Sequence, residues 1–110
     1  MSKNEISVYV KMPGKAPEKR TIPNTLEALQ EIVEGYIETV TLEPDLVAIC
    51  NEDGRMLSQP FNCFVYEMPI VGPIIFAGVN GEEFTDCPDT VEVWYQNGII
   101  SGRNYKETEK

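Results

Sequence analysis

Pro23-Asn-Thr-Leu-Glu-Ala-Leu-Gln-Glu-Ile-Val-Glu-Gly-Tyr36 runs directly into Ile37-Glu-Thr-Val-Thr-Leu-Glu-Pro-Asp-Leu-Val-Ala-Ile-Cys50, and the hydrophobic period changes between them. In the first segment Leu26, Leu29, Ile32, Val33 and Tyr36 recur at spacings of three and four, one apolar stripe on a helix. Asn24 is a cap residue whose side-chain oxygen accepts from a free first-turn NH, and Glu27 completes a capping box. Gly35 supplies the left-handed stop, so the helix is expected at about residues 25–35. In the second segment β-branched residues alternate from Ile37 to Leu42, which marks a strand. Glu43-Pro44-Asp45 turns the chain into Leu46–Cys50, an apolar run of strand length covered on both faces. Asp53-Gly54 then reads as a type I′ hairpin turn.

The helix leaves Glu27, Glu31 and Glu34 on its polar face, with Glu38 just beyond, and no Lys or Arg among them. Like charges four apart repel by roughly 0.2–0.5 kcal/mol per exposed pair. Such runs are commonly solvated surface; the sharper alternative is a docking face for a basic partner.

Asn51-Glu-Asp-Gly-Arg-Met-Leu57, followed by Gln59-Pro-Phe-Asn62, resembles a family of small uncharacterised proteins of bacteriophages and mobile elements, the domain of unknown function DUF3846. The shared pattern is an acidic-Gly turn, a basic residue, a Leu, then Pro and Asn, and later an apolar run near a glycine, here Ile70–Gly78. The resemblance spans residues 24–80 and continues more weakly to 96; Gln59 departs from it, standing where a small or apolar residue is expected. It implies a fold and a phage or mobile-element origin. It supplies no catalytic residues.

Around this centre, Ile6, Val8, Val10 and Met12 alternate with Ser7, Tyr9 and Lys11, a first strand with one buried face. Pro13-Gly14 turns it into the basic segment Lys15–Ile22, which suits an edge strand. Phe64–Tyr66 is a short extended piece, and Ile74–Val79 is the candidate central strand. Val91, Val93 and Tyr95 alternate as in a strand, yet the Thr85–Asp89 start signals and the family resemblance favour a short helix at about 88–96. The expected fold is a single α+β domain over 1–110: a mixed or mostly antiparallel sheet of about five or six strands, one main helix and a short C-terminal helix. Within it, residues 1–22 form an N-terminal hairpin, 23–102 the core and 103–110 a frayed tail.

The composition, 42% apolar and 25% charged, is that of a globular protein. No apolar run reaches membrane-span length and Met1–Glu5 lacks a signal-peptide core, so a cytoplasmic protein of a bacterial host is expected, without membrane contact. Cys50, Cys63 and Cys87 are an odd count at irregular spacing, read as reduced thiols buried as small hydrophobes. With no His and no Cys-x-x-Cys, neither a metal site nor any other cofactor is expected. The missing His also removes the usual triads, and no nucleophile–base set suggests an enzyme.

The net charge of −9 is unevenly spread: from Thr21 to Gly102 Arg55 is the one cation against fourteen carboxylates. That body repels nucleic acid and attracts basic surfaces. The expected role is therefore a non-enzymatic phage or mobile-element accessory protein that binds a basic host macromolecule, with anti-restriction as its most specific form. Glu27, Glu31, Glu34 and Glu38 would form its partner-binding face. The alternative is a protein that sequesters a nucleotide or other small molecule at Asn51, Arg55 and Asn62, with Arg55 meeting a phosphate. Self-association into a homo-oligomer is compatible with either role.

Overall fold

The computed structural model describes residues 4–102. Residues 103–110, expected as a tail, lie outside the described residues. The elements follow as β1 (Glu5–Lys11), β2 (Glu18–Pro23), α1 (Leu26–Val33), β3 (Ile37–Glu43), β4 (Leu46–Asn51), β5 (Phe61–Val65), β6 (Met68–Val71), β7 (Ile74–Asn80), β8 (Glu83–Thr85), α2 (Thr90–Gln96) and β9 (Ile100–Ser101). The main sheet has the order β2-β1-β7-β4-β3, with β8 also beside β7. All described strand pairs are antiparallel. The fold is α+β with a six-stranded main sheet, as the sequence predicts. A second sheet, β6-β5-β9, was not legible there.

That second sheet makes the molecule three-layered. Alternate residues of β4 and β7 point to opposite faces of the main sheet. Val47, Ile49, Ile75 and Ala77 pack with Leu29 and Val33 of α1, and with Ile6, Val8, Val10 and Ile22. Leu46, Ala48, Cys50, Ile74 and Phe76 pack instead with Cys63, Val65 and Ile70 of the small sheet and with Val91 and Trp94 of α2. Ile74–Val79 is central as expected, flanked by β4 on one side and by β1 and β8 on the other.

Because the small sheet covers the second face, β1 is not half-buried as its alternation suggests. Tyr9 is only 2% exposed and Lys11 only 4%. The helix is also shorter than its stripe: Leu29 and Val33 are buried, while Leu26 and Tyr36 remain exposed. Thr25 caps it rather than Asn24, in an extended conformation with its hydroxyl oxygen accepting from Ala28 N at 3.2 Å. Asn24 is engaged elsewhere, its backbone N donating to Asn4 O and its amide to Phe84 O. At the other end Glu34, not Gly35, takes the left-handed conformation, with φ of 65°.

The type I′ hairpin expected at Asp53-Gly54 does not form, and neither residue has positive φ. The Asn51 side chain accepts from Asp53 N at 2.7 Å and starts a series of turns through Ser58. β4 therefore pairs with β3 and β7, and the chain leaves for the small sheet. The strand–helix ambiguity at 88–96 resolves as helix, with Trp94 packed edge-on against Tyr66 at 5.2 Å.

All three cysteines are free and buried. Burial pushes the Cys63 thiol up to about 11 and the Cys87 thiol up to about 12, and also raises Cys50. A thiol that resists ionisation when folded contributes stability that is present below its ordinary value of 9.0 and lost as pH rises toward the folded value. Lys11 acts in the opposite sense, since burial lowers its pKa from 10.5 and unfolding restores proton uptake in that window. The urea midpoint is expected to fall above about pH 9, more steeply in Lys11→Met and less steeply in Cys87→Ala. A decline of equal slope in all three proteins would refute this assignment.

Candidate functional site

The loop from Glu52 to Pro60, between the end of β4 and the start of β5, is held by side-chain amides. Asn51 Nδ2 donates to Val33 O and Glu34 O, both at 3.1 Å, satisfying carbonyls that the end of α1 leaves unpaired. Gln59 Nε2 reaches the same Val33 O at 3.4 Å. The last turn of α1 contains no basic residue, so these amides replace the usual cationic partner of a helix C-terminus. Gly35 makes the approach possible, because a Cβ there would lie 2.6 Å from Asn51 Nδ2. Gly72, with φ of 73°, leaves room in the same way for Gln59, whose Oε1 is buried without a hydrogen-bond partner.

A second amide clamp lies between the sheets. Asn62 Nδ2 donates to Lys11 O and Gly72 O, both at 2.7 Å, and its Oδ1 accepts from Lys11 Nζ at 2.9 Å. This buried side chain uses its hydrogen-bonding groups inside the protein. It therefore ties β1 to the segment before β7 and presents nothing to a ligand.

With the loop fixed, a cleft of about 310 Å³ opens between β3 and β6. Glu38 and Val40 from β3, Cys50 and Asn51 from β4, and Glu52, Arg55 and Met56 from the loop form one wall. Met68 to Val71 of β6 form the other. Met56 stands at the rim 84% exposed, and Met68 is also exposed. Glu38 Oε2 lies 4.0 Å from the Cys50 thiol, whose pKa is raised first by burial and then by this carboxylate.

The structure divides the sequence-predicted residues differently from either proposed set. Glu27, Glu31 and Glu34 are exposed along α1. Glu38 pairs with Cys50 in register and faces the small sheet, on the opposite side of the main sheet from α1. It meets Asn51 and Arg55 in the cleft, while Asn62 does not line it. Met56 and β6 were missed; β6 stands about thirty positions from β3 in sequence and faces it only in the folded chain. Among the described residues no group of three or more His, Cys, Asp or Glu converges on a metal-sized site. No described helix is long and apolar enough to cross a membrane.

A family model described as a domain of unknown function, DUF3846, matches residues 6–99. The chain belongs to the DUF3846 family. The match runs from β1 through α2, so it includes both amide clamps and both walls of the cleft. No curated protein and no solved structure matches the chain. The Asn51–Asn62 segment, on which the resemblance was read, thus serves in this DUF3846 domain to lock the loop against α1 and β1.

Asn51→Ala strips two helix-end carbonyls of a partner and Asn62→Ala frees two more in the interior, each expected to cost about 1–3 kcal/mol. Urea unfolding measures both. An Asn51→Ala protein as stable as the parent would show that the side chain is held for a ligand and not for the fold.

Proposed function

We propose that this DUF3846 chain is a non-enzymatic binding module for a basic protein, and that the cleft between β3 and β6 is where the partner's cationic side chain is received. The observation that supports this is the pairing of carboxylates with an apolar floor. Glu38 and Glu52 stand beside Val40, Met56, Met68, Pro69, Ile70 and Val71. A lysine or arginine has the matching form, with an apolar stem that gains from burial and a head that needs an anion. The acidic body, one cation against fourteen carboxylates over residues 21–102, steers such a partner from a distance. Glu27, Glu31 and Glu34 belong to that steering field, exposed on the far side of the main sheet.

A phage or mobile-element accessory protein acting on a basic host macromolecule, including an anti-restriction role, fits this chemistry. A nucleotide fits it less well. Arg55 alone would meet the phosphates, in a cleft that already holds two carboxylates, and Asn62 is committed to the interior.

Titration of a fluorescent oligolysine against Glu38→Gln/Glu52→Gln and against Glu31→Gln/Glu34→Gln checks the assignment. The cleft variant is expected to weaken binding about tenfold, mostly through faster dissociation. The helix variant should mainly slow association, and both effects should shrink as salt shortens the Debye length to about 3 Å at 1 M. Binding indifferent to the cleft substitutions would remove the cleft from the function. A nucleotide bound at a hundredfold its Kd would raise stability by about 2.7 kcal/mol, and none is expected to.

A further inference from the structure

An edge strand exposes a row of unpaired backbone groups, and natural sheets guard their edges with proline, lysine, short length or irregularity. Most edges of this fold carry such a guard. β2 carries Lys19 and Arg20, follows Pro17 and ends at Pro23. β6 has Pro69 among its four residues. β8 is three residues long and β9 two. β3 is different: seven residues, Ile-Glu-Thr-Val-Thr-Leu-Glu, without proline or lysine, at the end of the main sheet. Its pairing with β4 is regular from Ile37 to Thr41, and the register shifts only between Thr41 and Glu43. Thr39 and Thr41 are exposed, so the helix side of this edge is open as well.

The same stretch forms one wall of the cleft. Glu38 and Val40, two residues apart and therefore on one face of the strand, both line it. A strand added outside β3 would place its side chains about 4.5–5.5 Å from those directly opposite on the same face. A residue opposite Glu38 and another opposite Val40 would therefore both enter the cleft.

We propose that the partner docks as an extended segment that adds a strand to the edge of β3 that is free among the described residues, with a lysine or arginine opposite Glu38 and an apolar residue opposite Val40. This rests on the cleft being the site for a basic partner, and it adds the mode of recognition: main-chain hydrogen bonds to β3, and a basic and an apolar side chain separated by one residue. Charge selects the occupant. Glu38 and Glu52 in the cleft, with Glu43 and Asp45 exposed or half-buried at the far end of β3, outweigh Arg55. A second copy of this chain, with its net charge of −9, is disfavoured by the same field.

The test uses a capped peptide Thr-Lys-Thr-Val-Thr-Lys-Thr and two N-methylated forms, one methylated on the Lys and Val nitrogens and one on the Thr nitrogens. In a strand the NH groups of alternate residues point to the same edge, so only one of the two sets can face β3. One form is expected to lose at least about tenfold in affinity while the other stays near the parent peptide. Hydrogen exchange should slow at β3 amides on binding and not at β6. Equal affinity of both methylated forms, or protection at β6, would overturn strand addition and leave charge capture in the cleft intact. Failure of the parent peptide to bind the wild-type chain would overturn strand addition together with the cleft assignment beneath it.

Discussion

The structure depends on covering the main sheet from both sides. β4 is buried at all six of its positions, and β7 from Ile74 to Gly78. Two adjacent strands with no polar face are unstable against water on either side, so each face needs a layer of its own. One α-helix provides the first layer. The second is assembled from three short strands and a seven-residue helix, none of which has enough apolar surface to be stable alone. The small sheet exists because the large one needs a lid, and the large one is dry because the lid is there.

Joining the layers requires polar groups where water is excluded. The end of α1, the turn after β4 and the segment before β7 all bring backbone carbonyls into the interior, and a few amides answer them. Asn51 serves α1 and the loop at once, Gln59 reinforces the helix end, and Asn62 links β1 to Gly72. A buried amide offers donors and an acceptor without a charge to desolvate, so it suits these junctions better than Lys or Glu would. Lys11 is the exception. Its ammonium is buried against Asn62, and burial lowers its pKa accordingly. The Asn51 and Gln59 amides tie the loop to the end of α1, and the loop so placed lines one cleft with Glu38 through Glu52 and Met56. The cleft is a by-product of how the layers are tied.

Much of this was legible in the residues. The period change near Tyr36 placed α1 and β3, and the unbroken apolar runs marked β4 as covered on both faces and β7 as central. The failures share one feature. Asn24 is by type the better cap, ahead of Thr25, and Gly54 is as good a turn residue as any. What accompanies each outcome is a set of hydrogen bonds to distant groups: Asn24 donates to Asn4 O and Phe84 O, and Asn51 donates to the α1 terminus. The same holds for Asn62, whose amide looks available to a ligand until Lys11 and Gly72 are seen around it.

By itself, the sequence determined α1, α2, the strands β1 to β4 and β7, the α+β class, the acidic composition and the family, because periodicity and charge are written in neighbouring residues. The pairing of elements was decided by tertiary structure. Whether β1 has one buried face or two depends on a small sheet fifty residues further along the chain. Whether Glu38 joins the helix stripe or a cleft depends on which side of the main sheet its strand presents. The first is set by what packs across the sheet; the second by the register of β3 against β4, where a shift of one residue would turn Glu38 to the other face.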